Sequence, residues 1–266
     1  MGSIKQTRHK PMENNEGKYI YGIIRHSGKI DLGPIGIGKR EDRVYGIHYK
    51  NVCAVVSNSP VIRYEARRSN LIAHEIVLEK AMKQFTVLPV RFSTIADTAE
   101  DAGILKILER DYERLTVILD QMEGKKELGL KVIAIEEVIY KHILEKYDEI
   151  RTLREKLIHL PADKTYYQRM KIGEMVEAAL QKEKEHYKSR ILDTLNPLAT
   201  DTKINDNYGE RMVLNAAFLI RNEAEPEFDR AVNTLDEQFG RLMTFKYVGT
   251  LPPYNFVNLV ININEN

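Results

Sequence analysis

Apolar and polar positions in the first part of the chain fall in short runs that predict strands. KYIYGIIRH (18–26) is rich in Tyr and Ile, residue types that suit a pleated, half-buried surface. RVYGIHY (43–49) and VCAVVSN (52–58) are two more strand candidates, joined closely around Lys50 and Asn51. The second is a nearly continuous apolar run, the pattern of a strand covered on both faces. Between them and the first strand, SGKIDLGPIGIGKRED (27–42) is too broken by glycine and proline for a regular element. Over 66–85 the period changes: Leu71, Ile72, Ile76, Leu78, Met82 and Phe85 fit one broad buried helix face, with Arg67, Arg68, Glu75, Glu79 and Lys80 on the remainder. VLPVRFSTI (87–95) returns to strand chemistry, and its proline places it near an edge or a strand start. A helix opening at Thr98, whose hydroxyl is expected to cap an amide, carries Ile104, Leu108, Leu115, Ile118 and Met122 inward and stops at Gly124. LGLKVIAI (128–135) is the expected closing strand. The order β-β-β-α-β-α-β predicts an α+β unit with helices on one face of a sheet.

The middle third keeps a helical rhythm throughout. Ile139, Ile143, Ile150, Leu153, Leu157 and Leu160 recur at three- and four-residue steps. After HLPADK (159–164), Ile172, Val176, Leu180, Tyr187, Ile191 and Leu195 repeat the pattern. Two helices of about 25–30 residues, each roughly 40 Å long, are expected to fold back as an antiparallel hairpin. Lys146 and Glu183 interrupt the apolar seams, unlike a long coiled coil. Beyond Asn196-Pro197, MVLNAAFLI (212–220), EPEFDRAVNTLDEQFG (225–240), LMTFKYVG (242–249) and NFVNLVINI (255–263) predict a second small β-α-β-β unit, with one more strand near 198–207. The expected organisation is a disordered tail (1–17), an N-terminal α+β domain (18–135), a helical hairpin (136–195) and a C-terminal α+β domain (196–266).

Composition narrows the function classes. Forty Lys+Arg against 39 Asp+Glu leave a net charge of +1 over 266 residues, which argues against nucleic acid or an anionic membrane as a partner held mainly by field strength. A single cysteine, Cys53, forms no internal disulfide and builds no cysteine-based zinc site. No apolar run approaches the roughly 20 residues of a spanning helix. The polar first 17 residues lack the apolar centre of a signal peptide, so a cytoplasmic location is expected. GPIGIG (33–38) leads into a strand and not a helix, so it is a connection and not a dinucleotide loop. His74-Glu75 begins like HExxH, but Leu78 stands where the second ligand belongs. His74 is therefore expected as a buried, hydrogen-bonded ring facing the 87–95 strand, and Cys53 as a small buried side chain. Arg91 alternates with Val90 and Phe92, so it is expected to enter a sheet face and pair with a carboxylate such as Glu75 or Glu79. Tyr166 and Tyr167 are candidate interface aromatics. No catalytic, cofactor or metal site is expected.

YIYGII (19–24), AVVS (54–57), LIAHEIVLEK (71–80), VLPVRFSTI (87–95), GKKELGLKV (124–132), YYQRMKIGEM (166–175), LNAAFLI (214–220) and GTLPPYNFV (249–257), in this order, resemble the gas vesicle protein L/F family over about residues 18–260. Ser93 stands where the family more often has Gly, and Leu251 where its proline turn usually has Trp. The resemblance implies two α+β domains, at least one ferredoxin-like, around a helical hairpin. It marks His74, Pro89, Arg91, Phe92, Pro252, Pro253 and Tyr254 as structural motif residues. It also implies a non-enzymatic accessory or minor structural protein of the gas vesicle, binding the major shell protein and other accessory proteins during assembly, without nucleic acid or membrane. The competing classes are a small-molecule enzyme with a site between sheet and helices and a ferredoxin-like regulatory module, including one for RNA.

Overall fold

β1 (Glu16–Arg25) is the central strand of a first sheet. β4 (Val52–Pro60) pairs antiparallel on one side of it, the short β5 (Val87–Pro89) and β6 (Ile95–Ala96) on the other. β3 (Val44–Tyr49) and β2 (Asp31–Gly33) extend the sheet beyond β4, giving the order β2-β3-β4-β1-β5. The computed structural model describes residues 15–261, so most of the expected tail lies outside the described residues; Glu16 and Gly17 already belong to β1, paired with Pro60 and Ser59. The chain divides into two units, one made of residues up to 123 together with 257 onward, the other of Gly124–Phe256.

In the first unit, successive apolar residues in β1 and β4 leave neither face for water. α1 (Arg68–Met82) contributes Val77, Leu78 and Ala81 to the core that holds Tyr19, Cys53 and Val55. α2 (Asp101–Met122) meets the opposite face, where Tyr45 and Tyr49 donate to Asp101 and Glu109 and Arg25 reaches the Thr116 carbonyl. The helices thus cover both faces and not one, as the continuous apolar run of β4 requires. α1 also differs from expectation in its inward side. His74, Val77, Leu78 and Ala81 are buried at i, i+3, i+4 and i+7, while Leu71, Ile72 and Ile76 are exposed. The helix is apolar on more than one side, so periodicity alone did not select the face. At the start of α2, Thr98 Oγ1 donates to the Glu100 carbonyl and caps no amide. Gly124, at φ 69°, makes the expected left-handed stop.

The second unit holds an antiparallel sheet ordered β10-β7-β9-β8, from β7 (Lys125–Ala134), β8 (Asp201–Ile204), β9 (Met212–Arg221) and β10 (Met243–Leu251). The strand expected to close the first sheet is β7, paired here between β9 and β10. Its alternation specified an inward face (Leu128, Leu130, Val132, Ala134) but not the neighbours that share it. One face of this sheet packs on α5 (Tyr166–Leu195) and α6 (Glu225–Phe239), with Phe218, Phe228, Ile191 and Leu195 fully enclosed. The first of the two expected long helices is divided into α3 (Glu136–Lys146) and α4 (Asp148–Leu157), because Tyr147 leaves the helical region at φ −108°, ψ 90°. NFVNLVINI forms no strand within the described residues. Val257, Leu259 and Ile261 bury alternately as a strand would, yet they belong to the first unit, where Arg114 donates to the Val260 carbonyl at 2.9 Å.

Candidate functional site

His74 sits nearly two turns into α1 on its inward face, 1% exposed, under a cluster of rings. Its ring stacks on Tyr21 at 5.6 Å and meets Tyr19 and Phe92 edge-on at 5.7 and 5.8 Å. Nδ1 is 2.9 Å from the Tyr19 hydroxyl, which in turn accepts the Ser93 amide at 2.9 Å. The backbone of Val90 is a second partner, in a bond that favours the protonated ring, so its carbonyl is the acceptor. Nδ1 therefore accepts from Tyr19. Burial, only partly offset by the Val90 bond, lowers the His74 pKa to about 4. The same burial raises Tyr19 and pushes Tyr21 up to about 12. Tyr21 ties this cluster to the glycine loop, accepting the Ile37 amide at 2.8 Å and sharing a 3.0 Å bond with Ser57. These neutral, fully partnered groups hold structure and offer no titrating group at neutral pH.

Pro89 ends β5 at the sheet edge opposite Gly22, and the chain then leaves the ladder. Ser93 takes φ 65°, a left-handed conformation that glycine adopts without strain. Its side chain compensates, Oγ accepting the Tyr64 amide at 2.9 Å. Arg91 corrects the expectation drawn from alternation. It lies in this turn after the strand has ended, exposed, and its carbonyl accepts the Thr94 hydroxyl. Arg91→Ala is expected to change stability by no more than about 0.5 kcal/mol in urea unfolding; a loss several times larger would restore the buried-anchor reading. Cys53 is buried as expected, its thiol pushed up to about 12 by desolvation.

Pro252, Pro253 and Tyr254 lie in the second unit, His74 in the first. The two prolines are buried and Tyr254 is exposed; the Tyr254 amide donates to the Pro252 carbonyl at 2.7 Å and that of Phe256 to Pro253 at 3.1 Å. This turn presents Asn255 to Glu127 of β7, whose buried carboxylate accepts the Asn255 amide at 3.0 Å and its Nδ2 at 2.6 Å. Burial raises the Glu127 carboxyl above the usual range, against the pull of the Asn255 bonds. Glu127 and Asn255 border a cavity of about 600 Å³ over the outer face of the sheet, with Lys131, Asn215 and Lys246. Sequence reading missed this pair, since only the turn motif hinted at one of its members.

Tyr166 and Tyr167 begin α5 and stand free, their rings edge-on at 5.7 Å. Farther along α5, Glu183 is buried and answers the other polar interruption of the seam: Lys146 Nζ bonds it at 2.9 Å and the Tyr147 hydroxyl at 2.7 Å, with His142 at 3.5 Å. Burial alone raises such a carboxyl, but the Lys146 and Tyr147 bonds outweigh it and hold Glu183 below the usual range. Burial and the Glu183 bond push Tyr147 up to about 12. Among the described residues no group of three or more His, Cys, Asp or Glu side chains is placed to hold a metal ion, and no helix is long and apolar enough to cross a membrane.

Known proteins share this arrangement across nearly its whole length. The chain is 28% identical to gas vesicle protein F of Dolichospermum flosaquae, over 91% of this chain and 97% of that protein. It is 30% identical to gas vesicle protein F of Streptomyces sp. (strain CB03234), over 90% and 98%. The crystal structure of gas vesicle protein GvpF from Anabaena sp. PCC7120 superposes with a TM-score of 0.78 at 26% identity, covering 92% of this chain and 99% of that one. The profile of the family described as gas vesicle synthesis protein GvpL/GvpF matches residues 17–258, and the chain belongs to that family.

Proposed function

We propose that this protein is a gas vesicle accessory or minor structural component that binds the major shell protein and other accessory proteins during assembly, and that it is not an enzyme. The observation that carries the reading is the match to the GvpL/GvpF family over residues 17–258, which takes in both units. Family membership gives the gas-vesicle role and the association with vesicles; partner choice, and assembly in the cytoplasm, are our own extension. The second unit favours the ferredoxin-like reading, since its elements follow a β-α-β-β-α-β order in which α3, α4 and α5 together fill the first crossover, and its strands are ordered β10-β7-β9-β8. α5 bonded alongside α3 and α4, from Arg169–Leu157 near the turn to Glu183–Lys146 farther out, favours the antiparallel hairpin.

A small shell protein prone to self-association needs partners that offer apolar surface in a polar frame. α1 presents Leu71, Ile72 and Ile76 to solvent, and the start of α5 presents its tyrosines. The test is co-expression of this protein with the shell protein, read as shell-protein solubility and recovery on an affinity-tagged bait. Raised solubility and co-purification are expected; unchanged solubility without capture would sink the reading. Deleting the gene in a vesicle-forming cell is expected to reduce or abolish vesicles by electron microscopy.

A further inference from the structure

The turn between α4 and α5 concentrates charge and apolar surface that the fold itself does not use. Ile158, Leu160, Tyr166, Tyr167 and Met170 are 48–82% exposed there. Across Arg151–Lys171, six Lys and Arg side chains stand against Glu155 and Asp163 alone, a net charge of +4 in a chain whose total is +1. Among the described residues, Arg154, Lys156, Lys164, Arg169 and Lys171 make no ion pair. Arg169 is spent on neutral acceptors. It donates to the Leu157 carbonyl at 3.1 Å, the Leu160 carbonyl at 3.2 Å and Thr165 Oγ1 at 3.0 Å, and so ties the end of α4 to the start of α5 without losing its charge. The Thr165 hydroxyl donates to the Pro161 carbonyl at 2.9 Å, closing the same turn.

The placement also runs against local helix stability. The first turn of α5 has no acidic residue, and Arg169 and Lys171 follow within two turns. Cations near a helix N-terminus oppose the helix dipole, where carboxylates would stabilise it. The result is a preformed positive surface around exposed aromatic and aliphatic side chains.

We propose that this tip is a docking surface for an acidic amphipathic helix of a partner protein. Charge complementarity selects the acidic partner, and the apolar strip flanked by cations matches a helix with carboxylates beside its apolar face. The tip offers no sheet edge, so recognition is through side chains and not strand addition. Tyr, Met and Arg are the residue types enriched at protein interfaces. An anionic lipid surface is disfavoured because the chain has no Trp and the tip has no Phe to anchor in a membrane interface. The inference deepens the reading of the protein as a partner-binding accessory factor and rests on it.

The test uses the full chain and a fluorescein-labelled synthetic helix with Leu at i, i+3, i+4 and i+7 and Glu elsewhere. Its control has Lys in place of Glu. Anisotropy is expected to show binding of the acidic peptide, weakened by added salt, and at least tenfold weaker binding of the basic one. The variant Tyr166→Ser/Tyr167→Ser/Met170→Ser is expected to lose the acidic peptide tenfold or more, as is Lys164→Glu/Lys171→Glu. All these side chains are exposed, so neither variant should melt below the parent. Hydrogen exchange with the acidic peptide bound should slow around 158–171. Equal affinity for both peptides, undiminished affinity in both variants, or protection confined elsewhere would overturn the proposal. So would tip-dependent binding to phosphatidylglycerol vesicles without peptide binding, which would assign the surface to lipid. Since the probe contains no gas vesicle protein, lost peptide binding with intact shell-protein capture overturns the tip assignment alone. Tip-dependent peptide binding without shell-protein capture overturns the functional reading alone.

Discussion

His74→Ala is expected to lower the unfolding free energy by about 3–5 kcal/mol, read from urea unfolding at neutral pH. The ring fills space among Tyr19, Tyr21 and Phe92, and its loss opens a cavity in a wall of strands and aromatic rings that cannot collapse freely. It also strips the Val90 backbone and the Tyr19 hydroxyl of buried partners. His74→Phe restores volume without the bonds, so it should recover part of the loss; no recovery would place the whole effect in hydrogen bonding. The ring gives a pH signature as well. Its folded pKa is depressed by burial to about 4 from the ordinary imidazole value of 6.5. Between those values the unfolded chain binds the extra proton, so the stabilisation is complete above about 6.5 and is lost as pH falls towards 4. The loss is worth about 3 kcal/mol for this buried ring. Wild type should weaken over that window more than His74→Phe does; parallel stability curves would show that His74 titrates normally.

The second large effect concerns the two charges that interrupt the helical seam. Lys146→Ala is expected to cost about 2–3 kcal/mol, since it leaves the Glu183 carboxylate buried with only the Tyr147 hydroxyl and His142 nearby. The figure sits below that of a fully enclosed pair because the Lys146 side chain is half exposed and water reaches part of it. Glu183→Leu removes the buried charge itself and should cost less than Lys146→Ala. The reverse order would mean that the ion pair contributes net stability of its own. Glu183 has a depressed folded pKa, so its contribution is present at neutral pH and fades as pH falls through and below the usual carboxylate range. Lys146→Ala should reduce that acid sensitivity.

Local elements were largely legible, and their partners were not. β9 reads as a strand from its apolar run, and the two-faced burial of β4 follows from the same logic. β7 was legible as a strand yet not as a member of the second sheet, because alternation specifies a face and leaves the neighbour open. α1 shows the limit of periodicity, since a helix apolar on several sides does not say which will be covered. At the candidate sites, His74 was legible as buried, whereas Arg91 was misread by extending the strand two residues too far. Lys146 and Glu183 were visible as polar intrusions 37 residues apart, and only the fold brings them into one bond. Glu127 and Asn255 are 128 residues apart and left no local trace of their pairing. Ser93, where the resembling family more often has Gly, marked a real backbone constraint, the left-handed turn at φ 65°.

The first unit is interrupted: residues 124–256 build the second unit before Val257, Leu259 and Ile261 complete the first. The second unit is contiguous in the chain, whereas the first cannot complete its core until a segment from beyond the second returns to it. A chain cut back at residue 256 is therefore expected to keep the cooperative unfolding of the second unit, while hydrogen exchange opens in the first around Arg114. The two units thus depend differently on one short segment: its loss is expected to loosen the first and leave the turn between α4 and α5 on an intact second.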